Sequence, residues 1–510
     1  MKSLPGRMFG TTLPGMKQFQ PLALLLGGGA LIWAAQGAGG RAPEGKKTAA
    51  RPDPRPNIFF AIADDWGWPH AGVYGDRVIQ TPTFDRVARE GVLFANAFVT
   101  SPSCTPSRGS ILTGQWHWRL EENVNLWSTL RARFPTYPEL LERAGYFIGH
   151  ERKAWGPGRL AVGGRKGDPS GPGYKNFAEF LRKRPAGRPF CYWFGSVDPH
   201  RPYKKGSGAA SGMRVDRIHV PGCLPDEEIV RNDIADYYFE VQRFDREVGE
   251  ALRLLAERGE LDHTLVVVTG DNGWPFPRGK SNLYDAGTHV PLAVRWPGHV
   301  PAGRTVTDFV SLADFAPTFL EVAGLPAPEC MTGRSLLPSL TSTAGGLVDP
   351  RRDHVLTGKE RHVPAQERGS LAGYPCRAIR TRDFLYIRNY HPERWPAGVR
   401  RHPERGRVFA DCDNGPTKAW MVEHEDDPGG KRLCALAFGR RPAEELYDLR
   451  RDPDELRNVA AQPDYAAVRE ALADRLQREL QVTGDPRAFG RGDRFERFPY
   501  YGGPPRERLP

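Results

Sequence analysis

The sequence of 510 residues has little cysteine and no basic cluster interleaved with aromatic residues. A Leu/Ala/Gly-rich run without charge lies near its N-terminus. The apolar run, residues 21–35, is short for a membrane span and contains three consecutive glycines. Lys and Arg outnumber Asp and Glu by 72 to 61, which gives a net charge of +11. Without basic and aromatic side chains interleaved, this charge favours a polyanionic substrate or a compositional bias over nucleic-acid binding.

The N-terminal region has the pattern of an export signal. Basic residues precede the apolar run, and small residues at positions 34–38 suit a cleavage site. We therefore expect residues 1–38 to be a signal peptide and residues 39–55 a linker. The mature protein would then be periplasmic or extracellular, with a membrane anchor as the alternative reading of the run.

Export makes disulfide bonds possible, and the sequence contains seven cysteines. Cys412 and Cys434 flank one loop-like stretch and are the best candidates for a bridge. The pairing of the other cysteines does not follow from their spacing.

Apolar runs alternate with amphipathic segments over residues 56–345, with no visible internal repeat. Residues 56–63 and 265–269 have the composition of buried strands, and residues 237–255 repeat apolar side chains at helical spacing. This alternation predicts an α/β domain in which helices cover both faces of a parallel sheet.

The pattern changes after about residue 345. Short strand-like segments follow without crossover helices, and residues 466–482 form a final amphipathic helix. We expect a smaller α+β domain with a short antiparallel sheet over residues 346–490. Residues 491–510 are expected to form a tail.

Two polar pairs follow predicted strands of the first domain. Asp64 and Asp65 end the strand at residues 56–63, and Asp271 and Asn272 end the strand at residues 265–269. The carboxyl ends of parallel strands open on one edge of a sheet, where ligands bind. Three carboxylates and one amide at that edge predict a site for a hard divalent cation.

Cys104 opens a short predicted helix over residues 107–113. Thr105 suits the N-cap and Pro106 the first helical position, which would place the thiol near the positive end of the helix dipole. Arg108 follows one turn later with a planar charged group suited to sulfate or phosphate. A buried structural cysteine is the alternative interpretation, and we consider it less favoured here.

The segment Cys104-x-Pro106-Ser107-Arg108, with the Gly109 to Gly114 stretch that follows, resembles the signature of type I sulfatases. The resemblance implies an alkaline-phosphatase-like sandwich, whose large, mostly parallel mixed sheet is flanked by helices. It also implies that a maturation enzyme converts Cys104 to Cα-formylglycine, whose hydrated aldehyde attacks sulfur. The cation would be Ca²⁺, with Mg²⁺ possible. Its implied ligands are Asp64, Asp65, Asp271, Asn272 and the modified Cys104.

Further matches to the sulfatase pattern supply basic groups. Lys153 and Lys280 match sulfate-binding cations, with Arg278 as the alternative to Lys280. His200 matches a histidine that binds sulfate or protonates the leaving group, and the alternative is a histidine in a surface loop. The sequence departs from the pattern at Trp155, where the family often has a histidine. That histidine's role is therefore vacant or filled elsewhere.

The resemblance is strongest to the heparan N-sulfatase subgroup. It implies hydrolysis of sulfate groups on a sulfated glycan, with the N-sulfate of glucosamine units in heparan-type saccharides as the leading candidate. In that subgroup a histidine near the start of the second domain lines the substrate pocket, and His362 is the candidate; the alternative is an exposed loop residue. The segments that carry this similarity are residues 271–277, 281–284, 332–338 and 374–377.

Three other functions remain open at this point. An O-sulfatase, or a phosphoester or phosphonate hydrolase, could be built on the same scaffold. A catalytically silent glycan-binding protein is the alternative from outside enzymology, and the complete set of candidate site residues argues against it.

Overall fold

The computed structural model describes residues 53–402 and 406–503. The predicted signal peptide, the linker up to residue 52 and the end of the predicted tail lie outside the described residues. The described chain belongs to one compact unit. Within it, no helix is both long enough and apolar enough to cross a membrane.

Seven strands form a mixed, mostly parallel sheet in the order β3-β4-β1-β5-β6-β2-β7. Six of them pair in parallel, and β6 runs antiparallel to β5 and β2. The strands are β1 (Asn57–Ala63), β2 (Val92–Phe98), β3 (Phe147–Arg152), β4 (Phe190–Gly195), β5 (Thr264–Gly270), β6 (Leu292–Arg295) and β7 (Arg304–Ser311).

Helices cover both faces of this sheet because its central strands are apolar on both sides. In β1, Phe59 and Ala61 pack into one core, while Ile58 and Phe60 pack into the other. The helices associated with this sheet are α1 (Pro82–Arg89), α2 (Cys104–Thr113), α3 (Tyr137–Arg143), α4 (Phe177–Lys183), α5 (Ser207–Ala210), α6 (Glu228–Glu257), α7 (Asp285–Thr288), α8 (Phe315–Val322) and α9 (Leu337–Thr341).

A second, antiparallel sheet has the order β11-β10-β9-β8. Its strands are β8 (His354–Lys359), β9 (Cys376–Thr381), β10 (Phe384–Asn389) and β11 (Glu444–Asp448). The remaining helices are α10 (Pro416–Glu423), α11 (Pro428–Phe438) and α12 (Ala466–Val482). The predicted fold class, a large mixed sheet with helices plus a short antiparallel sheet, is confirmed.

The predicted Cys412–Cys434 bridge is wrong. All seven cysteines lie in the described residues and all are free. The thiol of Cys412 points to the carbonyl of Asp413 at 3.7 Å, whereas that of Cys434, on α11, donates to the carbonyl of Met421 at 3.2 Å. Cys412 and Cys434 flank one segment of the sequence, but the fold does not bring their sulfur atoms together.

Part of the predicted tail has regular structure. Residues Gly492–Arg497 form a 3₁₀ helix, and Phe495 packs in the apolar core beneath the second sheet. Tyr501 donates its backbone N–H to the carbonyl of Trp127 at 2.8 Å. The domain boundary near residue 345 stays a prediction, since the described chain is one unit.

Candidate active site

The polar pairs that follow β1 and β5 meet the start of α2 at one edge of the large sheet. Carboxylate oxygens of Asp64, Asp65 and Asp271 and the sulfur of Cys104 all lie within 4.8 Å of one another. All four side chains are buried, and Cys104 is 2% exposed. The strand-end argument thus identified residues that the fold brings together.

Helix α2 begins at Cys104, earlier than the sequence predicted. Ser103 is the N-cap, with an extended backbone and a carbonyl that accepts the N–H of Ser107 at 3.0 Å. The prediction that Thr105 caps the helix is wrong, because Thr105 lies inside the first turn and donates its hydroxyl to Pro157 at 2.6 Å. Cys104 therefore occupies the first turn, where backbone N–H groups favour anions.

Arg108 joins the two strand ends to the loop after β3. Its Nε contacts Asp271 Oδ2 at 2.7 Å, and its Nη1 donates to the carbonyls of Lys153 and Ala154, each at 2.9 Å. Its Nη2 lies 3.6 Å from Asp64 Oδ1 and, although buried, makes no hydrogen bond. One donor of a fixed, fully charged group is therefore left for a ligand.

Two lysines balance the carboxylates. Lys153 Nζ lies 2.5 Å from both oxygens of Asp64, and Lys280 Nζ lies 2.8 Å from Asp65 Oδ2. Burial opposes the ionisation of Asp64, but the charges of Lys153 and Arg108 hold the pKa of this carboxyl well below its usual range. Both lysines predicted from the sequence are thus at the site.

The oxygen set fits a hard divalent cation. Asn272 donates through Nδ2 to Asp65 Oδ1 at 2.8 Å, while its Oδ1 is buried without a hydrogen-bond partner. A buried amide oxygen without a donor, beside three carboxylates, has the chemistry of a Ca²⁺ or Mg²⁺ ligand set. The residues named by the sequence could therefore hold such an ion.

Cys104 itself is poorly suited to act as a thiolate. Burial raises the pKa of its thiol well above the usual range, and Sγ points to Asp64 Oδ1 at 3.6 Å. The site would therefore hold an unmodified Cys104 as a neutral thiol.

Two predicted histidines have different neighbours at the site. His200 is 37% exposed, with Nδ1 2.5 Å from the carbonyl of Arg201 and Nε2 3.8 Å from Asp65 Oδ2. His362 is buried, and its Nδ1 lies 2.9 Å from the hydroxyl of Ser103, the N-cap of α2. Burial lowers the pKa of His362 to about 4, so it is neutral near pH 7. His362 is therefore no exposed loop residue.

The structure does not bring Arg278 to the site. Its Nη1 donates to the carbonyl of Leu436 at 2.9 Å, and its guanidinium lies 3.6 Å from the ring centre of Tyr284. Arg278 thus joins the segment after β5 to α11, and Lys280 is the cation that faces Asp65.

Trp155 supports α2 from outside. Its indole N–H donates to Asn123 Oδ1 at 2.9 Å, and Asn123 Nδ2 donates to the carbonyl of Thr105 at 3.2 Å. The family that the sequence resembles often has a histidine here. Trp155 instead supports the first turn of α2 through Asn123 and supplies no titrating group.

Sequence reasoning missed Asp413, which belongs to the segment between β10 and α10. One of its carboxylate oxygens lies within 4.8 Å of both Asp65 and a ring nitrogen of His200, and Oδ2 lies 3.2 Å from Lys280 Nζ. No motif marks this acidic residue, because only the fold brings the second part of the chain to the first sheet.

An open cleft of about 590 Å³ leads to the exposed sides of Lys153 and His200. This volume lies within the usual range for sites that take small ligands. Its other walls are formed by Trp127, Trp155, Pro157, Val197, Arg201, Pro202 and Arg243. A ligand in this cleft would reach the cluster of charges around Cys104 from one side.

Comparisons with known proteins identify the family of the chain. The sequence profile described as "Sulfatase" matches residues 56–155 and 170–325. The chain is 31% identical over 479 residues to human N-sulphoglucosamine sulphohydrolase, covering 84% of this chain and 91% of that protein.

Solved structures share the fold. A protein described in complex with its substrate D-glucosamine-2-N,6-O-disulfate matches with a TM-score of 0.60 at 22% identity, over 84% of this chain and 98% of that one. A phosphonate monoester hydrolase from Silicibacter pomeroyi matches with a TM-score of 0.62 at 19% identity, over 84% of this chain and 96% of that one. The family profile and the extended similarity to the human enzyme together show that the chain belongs to the sulfatase family.

Proposed function

We propose that this sulfatase hydrolyses the N-sulfate of glucosamine units in heparan-type saccharides. The observation that carries the proposal is the 31% identity to human N-sulphoglucosamine sulphohydrolase across 91% of that protein's length. The similarity covers 84% of this chain, and segments next to both sheets contribute residues to the site. The glycan sulfatases with which the chain also shares similarity make an O-sulfated sugar the alternative substrate.

Cys104 is the position of the proposed nucleophile. As a buried neutral thiol it would attack sulfur poorly, since the thiolate is the reactive form. A maturation enzyme that converts it to Cα-formylglycine would place a hydrated aldehyde at the same point of α2, and one hydroxyl of that group supplies the nucleophile.

The surrounding residues bind and orient the transferring sulfuryl group. Arg108 and Lys280 present positive charge in a buried setting, where such interactions are stronger than in water, and Lys153 adds a cation whose side chain is 18% exposed. His200 is partly exposed beside them and donates a proton from Nε2 to the leaving nitrogen. A Ca²⁺ ion, with Mg²⁺ as the alternative, would be held by Asp64, Asp65, Asp271 and Asn272 and would polarise the sulfate oxygens.

We also propose that the protein is exported to the periplasm or the extracellular space. The support is the N-terminal pattern of basic residues, apolar run and small residues. Cell fractionation with N-terminal sequencing of the mature protein would test this, and an intact N-terminus in the cytoplasmic fraction would refute it.

The function is tested by sulfate release from a substrate panel. We expect faster release from N-sulfoglucosamine than from glucosamine 6-O-sulfate, and no hydrolysis of a phosphonate monoester beyond a small side activity. Cys104→Ala should abolish release, whereas Cys330→Ala, at a half-buried cysteine outside the site, should not. Preference for the 6-O-sulfate or the phosphonate would replace the proposed substrate by that class.

The nucleophile is tested separately by mass spectrometry of the peptide that contains Cys104. Protein from its native host should show the aldehyde mass at this position. Active protein with an unmodified thiol throughout would refute the proposed nucleophile while leaving the substrate preference intact.

A further inference from the structure

Asp413 is an acidic residue in a site built for an anion, and the proposed chemistry gives it no role. Its Oδ2 lies 3.2 Å from Lys280 Nζ, yet this buried oxygen accepts no hydrogen bond. The side chain as a whole is 28% exposed. Lys280 offsets the charge of Asp413, but Oδ2 keeps the capacity to accept a hydrogen bond from a donor in the ligand.

The backbone around Asp413 is held firmly. Lys418 Nζ donates to the carbonyls of Phe409 at 3.0 Å and Cys412 at 2.7 Å, and to Asn414 Oδ1 at 3.0 Å. Two residues before Asp413, Asp411 contacts Lys359 Nζ at 2.8 Å and accepts the N–H of Val363 at 2.9 Å. Groups fixed in this way lose little freedom when a ligand binds.

The position of Asp413 relative to His200 suits one shared atom. A carboxylate oxygen of Asp413 lies within 4.8 Å of a ring nitrogen of His200. One ligand atom can be hydrogen-bonded to two groups if they are no more than about 5.6 Å apart, twice an ordinary hydrogen-bond length. The atom that His200 protonates can therefore also contact Asp413.

Sulfamates and sulfate esters differ at that atom. The nitrogen of a sulfamate carries a hydrogen that a carboxylate can accept, whereas the bridging oxygen of an ester carries none and would meet Asp413 with a lone pair. Sites built to bind a substrate N–H reject analogues that lack it, because a buried polar group is left unpaired.

We infer that Asp413 determines specificity by accepting a hydrogen bond from the N–H of the scissile sulfamate, so that the site favours N-sulfated over O-sulfated sugars. This inference rests on the proposed N-sulfatase function and adds a residue from the second part of the chain to it.

The test compares kcat/KM of wild type, Asp413→Ala, Asp413→Asn and Asp413→Glu on N-sulfoglucosamine and on 4-nitrophenyl sulfate, an ester without a neighbouring donor. We expect Asp413→Ala to lower kcat/KM on the sulfamate by roughly 30-fold, the size of a hydrogen bond to a charged group. Activity on the ester should not fall and should rise if the lone-pair contact with Asp413 opposes its binding, whereas Asp413→Glu should recover part of the sulfamate activity.

Asp426→Ala, at an exposed acidic residue nearby in sequence, is the matched control and should change neither substrate. Thermal unfolding of each variant separates loss of folding from loss of specificity, and Asp413→Asn keeps the side-chain shape. Equal losses on both substrates, or no loss on either, would overturn the role of Asp413. Wild type that releases sulfate from the ester but not from the sulfamate would overturn the proposed function as well.

Discussion

At the scale of single residues, burial and charge act in opposite directions around Cys104. Burial raises the pKa of Asp271 despite the contact with Arg108, whereas the combined charges beside Asp64 lower its pKa. Two carboxylates of one cluster thus differ because their partners differ in number and distance. Proton binding at this site is set by the whole cluster.

His70 lets the effect of burial on stability be measured away from the site. Its Nδ1 lies 3.1 Å from the hydroxyl of Tyr237, and burial lowers its pKa to about 4 from the usual 6.5. Protonation therefore favours the unfolded chain. The contribution of neutral His70 to the free energy of unfolding is fully present above about pH 6.5. It decreases as the pH drops toward 4, by up to about 3 kcal/mol.

We expect His70→Gln to flatten this pH dependence. The free energy of unfolding, measured with urea between pH 7 and 5, should fall less in the variant than in wild type. His299→Gln, at an exposed histidine, is the control and should keep the wild-type slope. If His70→Gln also kept that slope, the interpretation would fail.

The residues of the site were predictable where they followed strands or formed a motif. Asp64, Asp65, Asp271 and Asn272 end buried strands, and Cys104 belongs to a recognisable segment. Asp413 was not predictable, because its approach to His200 depends on how the second part of the chain packs. The choice between Arg278 and Lys280 also needed the structure, because left-handed backbone at Arg278 and Ser281, with φ of 66° and 69°, turns the chain sharply.

At the scale of elements, α2 positions Cys104 through a close approach to Asn123. A Cβ added at Gly109 would lie 2.0 Å from Asn123 Nδ2 and 2.6 Å from its Cγ. Asn123 is buried and bonded both to Trp155 and to the backbone of α2. It therefore has little room to move away.

We expect Gly109→Ala to destabilise the protein by about 1–3 kcal/mol and to lower sulfate release, because overpacking would shift α2. Gly167→Ala is a matched control, since nothing lies within 4 Å of a Cβ at Gly167. The measurements are urea unfolding and initial rates. A variant as stable and active as wild type would show that α2 tolerates the shift.

Elements with strong apolar patterns were predicted better than the rest. β1 and β5 are buried on both faces and appear as continuous apolar runs, whereas β7 alternates buried and exposed residues at its start and was missed. The short helices α10 and α11 were also missed. The antiparallel direction of β6 could not be predicted, since an apolar run does not specify direction.

At the scale of the whole molecule, segments connected to both sheets contribute to one site. His362 follows β8 by three residues and contacts Ser103 at the start of α2, while Asp413 lies beside Lys280. The second part of the chain is therefore required for the site. Apolar side chains also join the two parts, since Leu283 and Tyr284 belong to one buried cluster with Tyr374 and Ile387.

We expect the protein to unfold in a single calorimetric transition. Added Ca²⁺ should raise the midpoint temperature of this transition without splitting it. An ion bound only by the folded state stabilises it by about 2.7 kcal/mol at a concentration 100 times its Kd. Chelation should lower the midpoint, and Asp65→Asn should abolish the response to added Ca²⁺, with Mg²⁺ tested in parallel. Two separate transitions, or a midpoint that ignores Ca²⁺ and Mg²⁺, would contradict this.

The burial of Cys104 also determines whether its conversion can occur before or after folding. With 2% of its surface exposed, the side chain is out of reach of another protein once α2 has packed. Conversion of Cys104, which the proposed function requires, would then have to precede folding. The fraction of active molecules would then depend on the rate of Cys104 conversion relative to the rate of folding. Faster folding would therefore yield a larger fraction of inactive protein.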